Sequence, residues 1–260
     1  MTEPQLHRHF LHYSELPYSI RVLYTAALLV LGLGYLFALI NLYNTYSGKD
    51  GNSATLTYQD LVIAYSGTGK GSRLESALSG SMSTMLPPDE VATVVEWVQQ
   101  RAERGVYEKQ IRPILDKRCM SCHDGSNPHL PNFTGYESLL KITERDTGTD
   151  IFTLVRASHI HLFGITFIFF IMGLIFGHAY LRPIWFKCAV MGLPFLFIAT
   201  DILSWYMVKV FAPFALITMG AGALMGLCFA FMWFVSMYQM WFSGTPPAVV
   251  ERGTRVASVG

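Results

Sequence analysis

The sequence predicts an all-α membrane protein in which four transmembrane helices form a bundle and a helical extracytoplasmic domain is inserted between the first and second of them. Of the 260 residues, 52% are hydrophobic and only 14% are charged, whereas soluble globular proteins carry roughly 25% charged residues. Four nearly uncharged stretches are each long enough to cross about 30 Å of hydrocarbon as a helix. A long polar segment separates the first stretch from the second.

The predicted transmembrane helices cover 19–43, 158–181, 186–208 and 213–242. The first could instead be a cleaved signal peptide. Its apolar core is longer than a typical signal core, however, and no small-residue cleavage sequence follows it. We therefore predict an uncleaved signal anchor.

The basic residues of the short segments predict the orientation. Four spans place these residues on one side, which the positive-inside rule assigns to the cytoplasm: Arg8, Arg21, Arg182, Lys187, Arg252 and Arg255. Residues 1–18 and 243–260 then form the cytoplasmic termini, and 44–157 lies outside. The exception is Lys209, which falls in the short outer link.

Helices also account for most of segment 44–157, after a polar linker over 44–57. The glycine-rich stretch 66–72 lacks the spacing of a phosphate-binding loop and predicts a turn. Proline and acidic residues at 87–90 predict the start of a helix that continues to about Glu103. Further helices are expected over 107–118 and 136–141, and no strand is expected.

A five-residue motif, Cys119-Met120-Ser121-Cys122-His123, matches the C-x-x-C-H pattern of covalent haem attachment. The two thiols of this pattern add to the haem vinyl groups, and the imidazole ligates the iron. A zinc site would need further Cys or His at ligand spacing, and the other two cysteines, Cys188 and Cys228, lie in apolar runs. Attachment takes place outside the cytoplasm, in agreement with the orientation. We predict one covalent haem c and a multi-pass protein of the bacterial inner (cytoplasmic) membrane with its haem domain in the periplasm.

The stretch Ile111-Arg112-Pro113-Ile114-Leu115, followed by Arg118 and the motif, resembles the haem-binding start of the small domains of planctomycete-type cytochromes c. Residues 85–97 resemble the closing segment of such a domain, where a methionine loop precedes a final helix. The resemblance implies a cytochrome c-like domain over 44–157. Here the closing segment comes before the motif, so either the domain is rearranged or 55–105 is a degenerate first copy.

The sixth iron ligand has several candidates in the sequence. His159 and His161 lie at the expected outer end of the second transmembrane helix, and residues two apart on a helix face different directions, so at most one of them ligates. Met82 and Met85 precede the predicted helix at 87–90. His129 is disfavoured because it lies only six residues beyond His123. The remaining alternatives are an open sixth position and a ligand from a partner protein. Paired histidines give a low potential, and methionine raises it.

Asp201 is the one carboxylate well inside an apolar span. Ionisable groups within membranes are costly and frequently functional, so proton transfer, quinone contact and a helix–helix hydrogen bond are all open. Gly222 and Gly226 form a G-x-x-x-G pair that favours close helix contact. All histidines expected at membrane depth lie on the second span, which argues against a haem b held within the chain.

These features predict a membrane-bound monohaem c-type cytochrome that transfers single electrons at the periplasmic face. Four helices exceed what an anchor requires, so we expect other membrane subunits of a respiratory or oxidoreductase complex as partners, besides the lipid bilayer, with quinone or a soluble redox protein as a further candidate. An electron-transfer subunit is favoured over a free-standing enzyme. The alternatives are a quinol-oxidising cytochrome and a haem-based sensor or complex-assembly protein. A net charge of +1 gives no argument for nucleic acid.

Overall fold

The computed structural model describes residues 11–52, 54–69, 71–128 and 130–246. Within these residues the chain has no β-strand and a single isolated bridge, between Ser72 and Arg145. The predicted all-α class is confirmed for this part of the chain. The α-helices are α1 (Tyr18–Tyr46), α2 (Tyr58–Ser66), α3 (Arg73–Ser79), α4 (Pro88–Gln99), α5 (Arg104–Val106), α6 (Arg112–Arg118), α7 (Tyr136–Thr143), α8 (Ile151–Phe176), α9 (Ile184–Val208) and α10 (Phe214–Trp241). A 3-10 turn covers Tyr13–Glu15, and a π-turn covers Tyr107–Ile111.

Four helices, α1, α8, α9 and α10, are long and apolar enough to span a membrane, which confirms the predicted number of spans. The range predicted for the second span, 158–181, is wrong, since α8 begins at Ile151 and ends at Phe176. Asp150 sets this start: its carboxylate accepts hydrogen bonds from the backbone N–H and the hydroxyl of Thr153, at 2.9 and 2.5 Å. A side-chain cap of this kind starts a helix in polar sequence. The other three spans lie within three residues of their predicted ranges.

The chain divides into two compact units. The bundle unit comprises the described residues of Met1–Asn41, Val155–Ser204 and Ile217–Gly260, and the inserted unit comprises those of Leu42–Leu154 and Trp205–Leu216. The segment predicted as a domain, 44–157, is therefore accompanied by the link between α9 and α10, which the sequence did not indicate.

In the bundle unit, α1 packs along α10. The indole Nε1 of Trp233 donates to the carbonyl oxygen of Leu28 at 2.7 Å. The hydroxyl oxygen of Tyr35 on α1 lies 2.6 Å from the position that a Cβ atom would take at Gly226 on α10, so a side chain there would collide with it. An added Cβ at Gly222 would meet no atom within 4 Å. Of the G-x-x-x-G pair, Gly226 thus makes room for α1 of the same chain.

Basic side chains stabilise two helix ends in this unit. The ammonium of Lys187 donates to the carbonyl oxygens of Gly177 and Ala179, both at 2.7 Å, just beyond the last residue of α8. The guanidinium of Arg21 donates to the carbonyl oxygen of Met240 near the end of α10. Cations at helix C-termini satisfy carbonyls that have no partner within the helix. Two of the residues that predicted the orientation therefore also have a structural role.

The inserted unit has one hydrophobic core that is built from both halves of the segment. Its buried residues are Leu74, Leu78, Leu86, Val94, Trp97, Ala102, Tyr107, Ile111, Leu115, Phe133 and Leu139. Residues before position 105 and residues after it belong to this same cluster. The shared core favours a rearranged order of segments over an independent degenerate copy.

Two short helices, α2 and α3, were not predicted. Each begins with a capping box, in which Thr57 pairs with Asp60 and Ser72 pairs with Glu75. The side chain of the first residue accepts the N–H of the second, and the carboxylate of the second accepts the N–H of the first. The pattern of Ser or Thr followed three residues later by an acid was present in the sequence and would have located both helices.

The helix predicted from 87 to about Glu103 is shorter than expected, because α4 ends at Gln99. Arg101 and Ala102 adopt left-handed conformations, with φ of 67° and 53°, and the N–H of Ala102 donates to the carbonyl oxygen of Trp97 at 2.9 Å. This closing bond satisfies a carbonyl at the helix end. The helices predicted over 107–118 and 136–141 are present, the first as the π-turn followed by α6.

Candidate functional site

The C-x-x-C-H motif forms a single tight turn at the end of α6. The N–H of Cys119 donates to Leu115 in the last turn of the helix, at 2.8 Å. The N–H groups of Cys122 and His123 both donate to the carbonyl oxygen of Cys119, at 3.1 and 2.9 Å. The motif is therefore held by backbone bonds, and Cys119, Cys122 and His123 all lie within this turn.

The imidazole of His123 is oriented by the loop that follows it. Its Nδ1 lies 2.8 Å from the carbonyl oxygen of Pro131, and because a carbonyl only accepts, Nδ1 carries the proton. The ring stacks on Phe133 at 4.2 Å between centroids, and the N–H of Phe133 donates to the carbonyl oxygen of His123 at 2.9 Å. A backbone carbonyl that holds one ring nitrogen fixes the tautomer and leaves the other, Nε2, as a metal ligand.

The loop from 124 to 132 is shaped by its own side chains. The carboxylate of Asp124 accepts the N–H and the hydroxyl of Ser126, at 2.9 and 2.6 Å, and these bonds lower the pKa of this exposed carboxyl. Gly125 has φ of +87°, and a Cβ there would lie 2.7 Å from Nδ2 of Asn132. The turn therefore needs glycine, and it brings the chain back toward the imidazole.

The four cysteines are free thiols in this structure. Cys119 is half-buried, and burial, with the nearby carboxylate of Glu90 as a second cause, raises the pKa of its thiol. Cys122 is exposed. Two unpaired thiols and an imidazole with a fixed tautomer fit covalent attachment of haem and axial ligation by His123. Within the described part of the chain, no cluster of three or more His, Cys, Asp or Glu residues could bind a metal in another way.

An ion pair links α4 to the motif. Nε and Nη2 of Arg118 donate to the two carboxylate oxygens of Glu90, at 2.9 and 3.1 Å. Glu90 lies in the first turn of α4, directly after the methionine loop, and Arg118 immediately precedes Cys119. In this loop Met82 is half-buried and Met85 is 54% exposed. Both candidate methionines therefore belong to the same compact unit as the motif.

The two candidate histidines of the membrane region lie in the bundle unit, on α8. Because α8 starts at Ile151, they lie two to three turns inside the helix and not at its outer end. His161 is exposed, and its Nδ1 donates to the carbonyl oxygen of Ala157 at 2.8 Å. His159 is exposed and packs edge-on against Phe163 at 5.1 Å. His129 lies outside the described residues.

Asp201 is buried on α9 in the bundle unit, with 8% of its surface exposed. One turn later the hydroxyl of Ser204 lies 2.6 Å from the backbone carbonyl oxygen of Asp201 and 2.6 Å from the hydroxyl of Thr218 on α10. Ser204 and Thr218 are buried as well. The structure thus places a carboxylate and two hydroxyls inside the apolar bundle.

The glycine-rich stretch at 66–72 binds a side chain of the protein. The carboxylate of Asp146 accepts the N–H groups of Thr68 and Gly148, at 3.1 and 3.0 Å. One backbone N–H of the stretch, that of Thr68, is thus bound by this carboxylate. An open cleft of about 720 Å³ lies beside this loop; five of its ten lining residues carry hydroxyl groups, and Glu75 and Arg145 are its charged residues.

Sequence reasoning did not find the Pro131 carbonyl or the Phe133 ring as partners of His123. Only the loop closure brings them to the imidazole. The Arg118–Glu90 pair was likewise invisible, because the two residues are 28 positions apart.

Comparison with known families gives one match, of residues 149–247 to a family model named Aq_1264_TM and described as a transmembrane helical domain. The matched range contains 99 of the 260 residues and covers α8, α9 and α10. It agrees with the membrane-spanning character of these helices. Comparisons with curated proteins and with solved structures found no match.

Proposed function

We propose that this protein is a membrane-bound monohaem c-type cytochrome that transfers single electrons at the periplasmic face of a bacterial inner membrane, as a subunit of a respiratory or oxidoreductase complex. The observation that carries the proposal is the hydrogen bond from Nδ1 of His123 to Pro131, within a motif whose residue types match covalent haem attachment. The turn leaves Nε2 as the ligating nitrogen.

Each residue of the motif has a distinct role in this proposal. Cys119 and Cys122 would hold the haem through thioether links, and His123 would ligate its iron. Haem c, when bound, supplies one-electron transfer. The Pro131 carbonyl and the stacked ring of Phe133 keep the imidazole plane fixed, and a fixed ligand reduces the reorganisation that accompanies a change of charge at the iron. Arg118 and Glu90 connect the motif to α4.

The core shared by the two parts of the inserted unit supports the proposal in a second way. In the cytochrome domains that this segment resembles, the methionine loop and final helix follow the motif. Here they precede it, yet α4 and α6 contribute to one core through residues such as Val94 and Leu115. The segment with α4 therefore packs against the helix that carries the motif, although it precedes the motif in the sequence. It can close the domain as the final helix does in the domains that it resembles.

Covalent attachment is the first test. We expect the full chain, produced in a bacterium with a cytochrome c maturation system, to retain one haem per chain on a denaturing gel and to give a pyridine haemochrome spectrum. A variant carrying Cys119→Ser and Cys122→Ser should retain none, whereas the matched control carrying Cys188→Ser and Cys228→Ser should retain it. Absence of covalent haem from the wild type, under conditions that load a known monohaem cytochrome c, would overturn the proposal.

The sixth ligand is tested on the same loaded protein. Met82, Met85, His159 and His161 are replaced singly by alanine, and each variant is compared with the wild type by optical and low-temperature electron paramagnetic resonance spectroscopy. Conversion of a low-spin to a high-spin signal in one variant identifies the ligand. Retention of the low-spin signal in all four would exclude them.

Quinol oxidation is the second candidate function, and the buried Asp201 with its neighbouring hydroxyls favours it. A carboxylate inside the bundle could accept a quinol proton. The test measures haem reduction by a short-chain quinol in Asp201→Asn and in the control Thr200→Val. The hydroxyl of Thr200 donates to the carbonyl oxygen of Leu196 on its own helix. An inhibitor-sensitive rate that falls at least tenfold in Asp201→Asn alone is the expected result. Equal rates in the two variants, or no reduction by quinol, would contradict this function.

A further inference from the structure

The segment Leu11–Glu15 is docked against the ends of α8 and α10 in the bundle unit. Tyr13 is fully buried, and its hydroxyl donates to the carbonyl oxygen of Ile175 at 2.6 Å. Nδ1 of His178, just beyond α8, donates to the carbonyl oxygen of Leu11 at 2.7 Å. We call Leu11–Glu15 the N-terminal clamp. Two side-chain bonds thus hold the clamp to the end of one transmembrane helix.

His12 is the group on which the clamp's own geometry depends. The N–H of Ser14 donates to Nδ1 of His12 at 3.2 Å, and the carboxylate of Glu15 accepts the N–H of His12 at 2.7 Å. These reciprocal bonds form a capping box for the 3-10 turn. Because Nδ1 accepts a hydrogen bond here, the imidazole is neutral, and its proton resides on Nε2.

The imidazole is also buried in an unfavourable place for a charge. His12 is only 4% exposed, and its Nε2 has no hydrogen-bond partner within the described part of the chain. Protonation would place a charge in this buried site, and burial of a charge is unfavourable. The Glu15 carboxylate offsets part of this cost. Protonation would also convert Nδ1 from an acceptor to a donor. The bond from the N–H of Ser14 would be lost, and the new N–H would face the hydroxyl of Ser14, 2.9 Å away.

The charged and titratable groups around His12 come from each packed element. Glu15 of the clamp favours the imidazolium, while Lys187 of α9 and His178 beyond α8 disfavour it. Burial is the largest effect, and it lowers the pKa of His12 below its ordinary value. On α10 the amide of Gln239 faces the imidazole, and after burial it is the next influence, which favours the imidazolium and raises the pKa of His12. The same amide pairs with the backbone of Tyr180, at 2.7 and 2.8 Å.

We propose that the N-terminal clamp is an acid-sensitive switch, in which protonation of His12 releases Leu11–Glu15 from the ends of α8 and α10. This switch is independent of the haem motif, which lies in the other unit. With the orientation proposed above, the clamp senses the cytoplasmic pH.

The sign of the pH dependence follows from the lower pKa in the docked state. Neutral His12 is favoured when docked, so docking is fully stable above the ordinary histidine pKa of about 6.5. As the pH falls below this value, each further unit weakens docking by up to about tenfold until the docked imidazole itself is protonated. Release is therefore an acid event, and neutral or alkaline pH restores the clamp.

Hydrogen exchange of the full chain in lipid nanodiscs tests this switch. We expect the amides of residues 11–16, corrected for the intrinsic exchange rate, to lose about tenfold in protection between pH 7.5 and 5.5, while α4 shows no change. His12→Gln should remove the pH dependence. Glu15→Gln should move the midpoint to higher pH, because loss of the carboxylate makes the docked imidazolium less favourable and also removes the bond from the N–H of His12.

The outcomes separate cleanly. If the wild type shows no pH-dependent change at residues 11–16, or if the change persists in His12→Gln, the proposal is overturned. If His12→Gln does not fold, the wild type and Glu15→Gln still decide, since an unchanged midpoint in Glu15→Gln also overturns it. None of these readouts depends on haem, so failure of the clamp and failure of the proposed electron transfer are distinguishable.

Discussion

The ammonium of Lys209 donates to the backbone carbonyl oxygen of Tyr65 at 2.6 Å, in the last turn of α2. It also donates to the carbonyl oxygens of Thr147 and Thr149, at 2.8 and 2.7 Å. Burial lowers the pKa of this lysine. Lys209 is the one basic residue that violates the positive-inside pattern, and these three bonds supply a structural reason for it. The lysine ties the end of α2 and the loop before α8 to the link between α9 and α10.

Replacing Lys209 with methionine should loosen this attachment. The side chain keeps its length but loses three bonds, and we expect a cost of about 1–3 kcal/mol in the local opening of residues 65–67 and 147–149. Hydrogen exchange at these residues measures it. Lys141→Met, at an exposed site in α7, is the control and should leave protection unchanged. Equal protection in both variants would show that the three carbonyls do not depend on Lys209.

Substitution of Gly67 by alanine should destabilise the inserted unit strongly. Gly67 has φ of +75°, and an added Cβ would overlap the backbone carbonyl of Asp146. Gly69 in the same stretch has φ of +66°, but an added Cβ there meets nothing within 4 Å. Gly69→Ala should therefore cost only the conformational penalty, about 1 kcal/mol, and Gly67→Ala considerably more. Thermal unfolding of the two variants gives the comparison, and similar melting temperatures would contradict the close approach.

Gly125→Ala should disturb the loop that orients His123. Its Cβ would press on Asn132, next to the Pro131 carbonyl that holds the imidazole. We expect a several-fold smaller fraction of chains with covalent haem, together with faster proteolysis between residues 124 and 132. Gly135→Ala, where nothing lies within 4 Å and φ is −154°, is the control. Unaltered haem content and proteolysis in Gly125→Ala would mean that the loop tolerates the change.

Replacement of Glu90 by glutamine should make the Cys119 thiol of the haem-free protein more reactive. Burial raises the pKa of Cys119 first and the Glu90 carboxylate raises it further, so its removal lowers the pKa and increases the thiolate fraction. In a Cys122→Ser background, alkylation at pH 8 should be a few-fold faster than with Glu90 present. The neighbouring Asp89→Asn is the control. A slower reaction would contradict this electrostatic argument, because it would show that loss of the ion pair with Arg118 makes the thiol less accessible.

The stability effect of the same replacement should be small. The Arg118 and Glu90 side chains are 32% and 18% exposed, and ion pairs in contact with water contribute roughly 0–1 kcal/mol. Denaturant unfolding of Glu90→Gln should therefore differ little from the wild type.

The sequence by itself determined the all-α class and the number of spans, because burial of a backbone in lipid requires long apolar helices and their composition is local information. It also located the helix of the motif and the helix at 136–141. The start of α8 could have been anticipated from Asp150 and Thr153, and α2 and α3 from their capping boxes, since these signals are local as well. The motif that predicts haem attachment is local information too, because it consists of five adjacent residues.

The tertiary structure alone decided what depends on residues far apart in the sequence. The loop returning to His123, the pair of Arg118 with Glu90, and the core shared by Val94 and Leu115 arise only when the chain closes on itself. The same holds for Lys209. Its charge looks misplaced in the sequence, because its carbonyl partners lie at the end of α2 and in the loop before α8. Backbone carbonyls carry no signature in a sequence, and here they are the partners that orient the imidazole and satisfy the lysine.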